Sequence, residues 1–146
     1  LEGTSTNLGF LTVETAGTIA PGASVGSQTW SDIEFQPGAV YECDVDADNS
    51  KADLLTSTGE LMLPDTANSV TIKVVQTTSA AAISKTVLAY DYMTGSTNAL
   101  VLDFSGTGFQ QPALTVGAQG VTISLVPEPA AALAAIFALL LAARRK

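Results

Sequence analysis

Hydrophobic and polar residues alternate along several short segments of the chain. The clearest alternation runs from Ala39 to Ala47, where apolar side chains occupy every second position and acidic side chains lie between most of them. A period of two is typical of a strand with one buried face and one solvent face. We therefore predict a half-buried strand whose inward side chains are Tyr41, Cys43, Val45 and Ala47.

Other short runs rich in β-branched and aromatic residues recur between Gly, Pro, Asn and Asp residues. They cover residues 10–13, 28–35, 53–56, 60–63, 70–76, 86–90, 100–104, 113–116 and 121–126. Within this part of the chain only residues 79–84, through three consecutive alanines, favour a helix. Many short strands without long helices between them predict an all-β fold.

A weak repeat bears on the architecture of these strands. Leu11, Ile33 and Leu55 are spaced about 22 residues apart, which is one coil of a typical β-solenoid. The residues around them match poorly, so a β-sandwich remains the alternative. Because the spacing is lost from Val70 onward, we predict terminal coils of a parallel β-helix that run into a sandwich-like cap covering the open end of the stack.

The end of the chain has a different character. Residues 130–143 are all Ala, Leu, Ile or Phe, which predicts a C-terminal α-helix that is apolar on every side. About 14 helical residues span roughly 21 Å, less than the roughly 30 Å of a bilayer core. Residues 126–129 and snorkelling of the basic side chains Arg144, Arg145 and Lys146 would extend this span. We therefore divide the chain into a β-rich body, 1–125, and a tail, 126–146.

The charge of the chain limits its partners. The net charge is −8, and only Lys51, Lys73 and Lys85 are basic among residues 1–125. An acidic body is repelled by phosphate backbones, which argues against a nucleic-acid partner. The basic end behind an apolar run is typical of a membrane flank, and the positive-inside tendency places Lys146 in the cytoplasm.

The chain contains no histidine, which removes the commonest general base and metal ligand. The absence of histidine also excludes a Ser-His-Asp or Cys-His catalytic site within this chain. Carboxylates are abundant, but strand alternation accounts for several of them without catalysis. We therefore predict that the protein is not an enzyme, with a polysaccharide hydrolase or lyase as the disfavoured alternative.

Three acidic residues, Asp44, Asp46 and Asp48, have the spacing of a calcium loop. An EF-hand loop requires Gly at its sixth position and Glu at its twelfth, and these positions hold Asn and Leu here. An acidic solvent face that leads into a turn is therefore the favoured interpretation. Together with Asp53, the three residues remain candidates for a weak Ca²⁺ site.

The single cysteine, Cys43, cannot form an internal disulfide and falls on the inward face of its predicted strand. We predict a buried, inert thiol. Trp30, Tyr90 and Tyr92 could together form a platform that stacks on sugars. Packing in the core is the more common role of such residues and is favoured.

The tail resembles a known sorting signal. Val126-Pro127-Glu128-Pro129, the apolar run 130–143 and the basic end follow one another in the order and spacing of the PEP-CTERM domain. The lack of Gly in the run is a departure from many members. The resemblance implies a Gram-negative-type bacterium, an exosortase that cleaves near Pro127–Pro129, and release or anchoring at the cell surface.

The body also resembles a family. Residues 17–26, Gly-Thr-Ile-Ala-Pro-Gly-Ala-Ser-Val-Gly, are similar to the turn of autotransporter-associated β-strand repeat proteins, and residues 37–42 and 52–59 match the pattern further on. This resemblance implies the end of a right-handed parallel β-helix.

These features favour an exported structural or adhesive protein of the cell surface or extracellular matrix. A module that binds extracellular polysaccharide or calcium is the alternative. The expected partners are an exosortase-type membrane protease, the inner membrane that holds the precursor, and further copies of the chain in fibres. Because Leu1 is not an initiator Met and no signal peptide follows it, we expect a longer precursor.

Overall fold

The computed structural model describes residues 5–6, 9–78 and 81–128, and this part of the chain is all-β, as predicted. Its strands are β1 (Ser5–Thr6), β2 (Phe10–Val13), β3 (Thr18–Ile19), β4 (Ser27–Trp30), β5 (Asp32–Phe35), β6 (Val40–Asp46), β7 (Lys51–Ala52), β8 (Leu54–Ser57), β9 (Glu60–Met62), β10 (Val70–Gln76), β11 (Ile83–Ala89), β12 (Tyr92–Thr94), β13 (Leu100–Asp103), β14 (Phe109–Val116) and β15 (Gly120–Pro127). A short 3₁₀ helix, Thr97–Ala99, precedes β13.

The strands form three sheets that the chain visits in a fixed order. Sheet 1 has the order β1-β4-β8-β11-β15-β14, sheet 2 the order β12-β9-β5-β2, and sheet 3 the order β13-β10-β6-β3 with β7 paired to β6. We call one passage through sheets 1, 2 and 3 a circuit. The described chain makes four circuits: β1 to β3, β4 to β6, β8 to β10, and β11 to β13.

Each strand of a circuit pairs in parallel with the strand at the same place in the next circuit. Alternation turns every second side chain inward, so the register builds apolar rows along the interior. In sheet 2 the row is Leu11, Ile33, Leu61 and Met93. In sheet 3 it is Ile19, Tyr41, Ile72 and Leu102.

The inward face predicted for β6 is confirmed, because Tyr41, Cys43, Val45 and Ala47 are all buried. The predicted run 28–35 is instead two strands in different sheets, β4 and β5, since the chain turns a corner at Ser31. The break between them allows both strands to bury every second side chain.

The predicted 22-residue repeat is correct for one step only. Leu11 lies beside Ile33 in sheet 2, but Ile33 then lies beside Leu61. Leu55 belongs to sheet 1, where its neighbour is Gln28. The interval grows mainly because the strand in sheet 3 lengthens from two residues in β3 to seven in β6.

The change of architecture predicted at Val70 does not occur there. β10 continues sheet 3 in parallel with β6, and β13 continues it in parallel with β10. The helix predicted over 79–84 is wrong for Ile83 and Ser84, which begin β11; residues 81–82 are neither helix nor strand, and 79–80 lie outside the described residues.

One corner between sheets 2 and 3 is stabilised by backbone hydrogen bonds between circuits. Gly38, at φ +89°, donates its N–H to the Ser69 carbonyl at 2.6 Å and accepts the Ala16 N–H at 3.2 Å. Glycine adopts this left-handed conformation without steric cost. The Pro37-Gly38 turn therefore joins the first three circuits at one place.

A hairpin of antiparallel strands follows the fourth circuit. β15 pairs with β11 on one side and with β14 on the other, which extends sheet 1 alone. Leu114 and Val116 of β14 pack against the buried core. The predicted tail helix, 130–143, and the basic end, Arg144, Arg145 and Lys146, lie outside the described residues.

Candidate functional site

The predicted sorting motif begins inside the folded body. Val126 and Pro127 are the last residues of β15, so the predicted boundary at 125/126 falls within a strand. Val126 pairs with Gln110, and Pro127 pairs with Phe109. Glu128 is exposed, and Pro129 lies outside the described residues.

The pairing of this motif continues one residue past the strand. The Glu128 N–H donates to the Gly108 carbonyl at 2.9 Å. Gly108 is itself held by the body, because its N–H donates to Oε1 of Gln76 at 2.7 Å. Gln76 and Gly108 carry no local sequence signal, and sequence reasoning did not find them.

The helical content of the described residues bears on membrane insertion. None of the helical segments there has the length and apolar composition needed to cross a bilayer. The predicted span, residues 130–143, lies outside the described residues.

Two of the four predicted calcium ligands, Asp44 and Asp46, lie on the solvent side of β6, and Asp48 lies in the turn that follows. The Asp46 carboxylate accepts the Asn49 N–H at 3.1 Å and the Asn49 side-chain N–H at 2.8 Å. The Thr78 hydroxyl donates to it at 3.1 Å. These bonds, those from Asn49 first, lower the pKa of Asp46. This carboxylate therefore serves to close the turn.

Asp53 differs from the other three because its side chain lies in the interior and is 0% exposed. Its carboxylate accepts the Gly26 N–H at 2.6 Å and the Asp44 N–H at 3.0 Å. Burial raises its pKa to about 6, although both hydrogen bonds act in the opposite direction. Among the described residues, no group of three or more His, Cys, Asp or Glu is placed to hold a metal ion.

The prediction that Cys43 is buried is confirmed. Burial raises the pKa of its thiol, with the nearby Asp53 charge acting in the same direction. A thiol with a raised pKa stays protonated and is a poor nucleophile. Beside it, the buried Tyr41 hydroxyl donates to the Val87 carbonyl at 3.0 Å, which links sheet 3 to sheet 1 across the interior.

The three aromatic residues do not form one platform. Trp30 and Tyr90 are buried, as core packing predicts. Tyr92, by contrast, is 51% exposed. Its side chain stands on the outer face of β12, and its hydroxyl donates to Oε2 of Glu60 at 3.4 Å. The Glu60 charge raises the pKa of Tyr92.

An outward row of sheet 2 was missed by sequence reasoning. Phe10 lies beside Asp32, and Tyr92 lies beside Glu60. Asp32 and Glu60 are joined because the Glu60 N–H donates to Oδ1 of Asp32 at 2.9 Å. We call Phe10, Asp32, Glu60 and Tyr92 the outer row. It places two carboxylates between two exposed aromatic rings.

A groove of about 560 Å³ lies between the corner before β13 and the hairpin strand β14. The described residues that line it include no ionisable side chain; they are Ala67, Asn68, Thr97, Asn98, Leu100, Leu114 and Val116. Acid–base chemistry would require a titratable group within reach of the reacting atoms. The described lining of this groove therefore supplies no candidate general acid or base.

Comparison with protein-family models and with curated proteins finds no match to this chain.

Proposed function

We propose that this chain is an exported structural protein of a bacterial cell surface or extracellular matrix, built from the terminal coils of a parallel β-solenoid. The observation that carries the proposal is the fixed order of four circuits, each of which adds a parallel strand to three sheets. Stacked coils bury one continuous apolar interior and satisfy backbone groups through their neighbours. Such a body suits a stiff, protease-resistant spacer.

The ends of the stack support self-association into fibres. Among the described strands, β2 and β3 lie at one edge of their sheets, and β12 and β13 lie at the opposite edge of the same two sheets. Edge strands present unpaired backbone groups that pair readily with another chain. Head-to-tail pairing of such ends does not close, and it therefore extends into a filament.

The sorting role rests on the Val126-Pro127-Glu128-Pro129 motif and the apolar run that follows it. In this proposal the tail holds the exported precursor in the inner membrane. An exosortase-type protease then breaks a peptide bond near Pro127–Pro129. The acyl group passes to water, which leaves a new carboxyl terminus on the body and a new amino terminus on the membrane-bound tail. The proposal assigns the body itself no catalytic role.

Intact mass and location test the sorting role. We expect the protein recovered from the native cell surface to end near Pro127–Pro129. The variant Pro127→Ala/Pro129→Ala should stay in the membrane fraction at its full mass, whereas Pro64→Ala, in a corner loop, should be processed normally. A double variant secreted at the mass of the processed wild type would refute the proposed sorting role.

An engineered disulfide tests the stacking of coils. Thr12 and Glu34 are parallel neighbours in sheet 2, and Met62 lies one strand further on. Adjacent strands are about 4.8 Å apart, within the range of Cα separations that a disulfide bridges, whereas the next strand is about 9.6 Å away. We expect Thr12→Cys/Glu34→Cys to cross-link and Thr12→Cys/Met62→Cys to remain reduced. Cross-linking of the second pair alone would contradict the register.

The outer row favours a second candidate function, the binding of extracellular polysaccharide. Exposed aromatic rings stack on sugar rings, and carboxylates accept hydrogen bonds from sugar hydroxyls. We expect Phe10→Ala/Tyr92→Ala to lose retention in affinity electrophoresis through a neutral polysaccharide gel. Ser84→Ala, on the exposed face of sheet 1, should migrate like the wild type. Equal retention of all three chains would exclude the outer row as a binding surface.

A further inference from the structure

Within the described part of the chain, the segment that carries the sorting motif is paired on one side. β11 pairs with β15 as far as Leu125, the partner of Ile83. Beyond that residue, the only described strand that pairs with Val126 and Pro127 is β14. Val126 is 48% exposed. The last residues of β15 therefore depend on one neighbouring strand for their position.

The supporting part of β14 is itself separate from the rest of its ladder. The register between β14 and β15 shifts between Gln110 and Ala113, where Gln111 adopts φ +47°. A bulge of this kind interrupts the ladder and leaves a residue unpaired. The two pairs that hold Val126 and Pro127 thus form a short ladder of their own, which can open without disturbing the longer one.

That short ladder is fixed to the body at two points. Phe109 is only 2% exposed and belongs to the hydrophobic core. Gly108, which accepts the Glu128 N–H, is held by Oε1 of Gln76, and the Gln76 side-chain N–H donates to the Thr78 carbonyl at 2.5 Å. We call Gln76, Gly108 and Phe109 the clamp. It connects the end of β10 to the end of β15.

We propose that the clamp controls processing of the sorting motif, an inference that rests on the proposed function. A protease needs its substrate segment free of other strand pairing, because the backbone groups it must bind are already occupied in a sheet. Residues 126–128 therefore enter the protease only from an opened state in which the short ladder has separated from β15. When opening and closing are fast, the cleavage rate follows the population of that state. Gln76, Gly108 and Phe109 are thus positioning residues, and the clamp adds no chemical step.

Hydrogen exchange of the Glu128 amide measures the opening directly, in the whole chain held in detergent micelles. Gln76→Met removes the acceptor for the Gly108 N–H at similar volume. Loss of one hydrogen bond predicts exchange and cleavage that are each about fivefold faster. Gln36→Met is the matched control, because Gln36 bonds to Glu34 far from the clamp, and it should change neither rate. Phe109→Leu, which loosens the packing without removing it, should accelerate both rates as well.

The two readouts separate the clamp from the sorting role. A wild-type Glu128 amide that exchanges as fast as in an unstructured peptide overturns the clamp. Faster exchange in Gln76→Met with cleavage at the wild-type rate in cells overturns control of processing by the clamp. If the wild-type chain is never cleaved but its Glu128 amide is protected, the proposed processing is overturned. Regulation of processing by the clamp is overturned with it, although the pairing of Glu128 with Gly108 is retained. Parallel acceleration of exchange and cleavage supports the whole inference.

Discussion

Asp53 provides a direct test of the interior, because it buries a carboxylate at a corner between circuits. Its side chain is 0% exposed, and burial raises its pKa to about 6, against about 3.9 for an unperturbed Asp. One pKa unit corresponds to about 1.4 kcal/mol. Ionisation of Asp53 in the folded protein should therefore reduce the free energy of unfolding by up to about 3 kcal/mol.

The sign of the pH dependence follows from the direction of the shift. A group whose pKa is higher in the folded state stabilises the fold most below its unfolded pKa, and this contribution is lost as the pH rises through the folded value. We therefore expect the wild type to be more stable at pH 4.5 than at pH 7.5. Asp46 and Asp103 have lowered pKa values, so their contribution to the free energy of unfolding is lost as the pH falls. This loss occurs at more acidic pH than the effect of Asp53.

Urea unfolding at several pH values between 4.5 and 7.5 measures this effect. Trp30, the single tryptophan, is buried in β4 and reports unfolding by its fluorescence. Asp53→Asn keeps the shape and one acceptor of the side chain but cannot ionise, so its free energy of unfolding should be nearly constant over this range. Asp65→Asn, an exposed loop substitution, should keep the slope of the wild type. A wild type that becomes more stable toward pH 7.5, or an Asp53→Asn chain with the wild-type slope, would refute the reasoning.

Three further predictions concern single positions, each measured by urea unfolding at pH 7. Gly95→Ala should destabilise the fold by several kcal/mol, because the added Cβ would overlap the Leu63 carbonyl in the preceding circuit. Gly106→Ala should cost only about 1 kcal/mol, because Gly106 also has a positive φ but has open space around it. Equal losses of stability in the two variants would contradict this packing. Tyr41→Phe should cost about 1–3 kcal/mol because the Val87 carbonyl loses its donor in the interior, and an unchanged midpoint would argue against that bond. Ala16→Gly should stabilise by up to about 1 kcal/mol, because Ala16 lies at φ +60°; destabilisation would show that the entropy of glycine outweighs the relief of strain.

The local pattern of apolar and polar residues was sufficient to predict the inward side chains of a strand that has one buried face. The alternation from Ala39 to Ala47 placed Tyr41 and Cys43 inside because a buried face selects apolar residues without reference to distant partners. The repeat could not be extended to Leu55, since the strand in sheet 3 has two residues in β3 but seven in β6, which lengthens the interval between circuits. Tyr92 shows a related limit, because alternation in its three-residue strand turns Met93 inward and leaves the Tyr92 ring on the outer face.

The candidate sites depend more strongly on contacts between residues distant in sequence. The carboxylate of Asp53 is held by an amide in the preceding circuit, and Gln76 holds Gly108 across 32 positions. Neither pair has a local signature that alternation or motif spacing could reveal. The proposed sorting motif could be predicted because its residues are contiguous, but its pairing with β14 could not.

The position of β15 between two antiparallel neighbours has a mechanical consequence. If the body is tethered through residues beyond Glu128, tension enters the fold along the axis of β15. That strand cannot slide without moving past both β11 and β14, so many hydrogen bonds along the two ladders resist the pull together rather than breaking one after another. The short ladder at Val126 and Pro127 would yield first and lengthen the tether slightly. We therefore expect the attachment point to stretch under load while the stacked body behind it keeps its form.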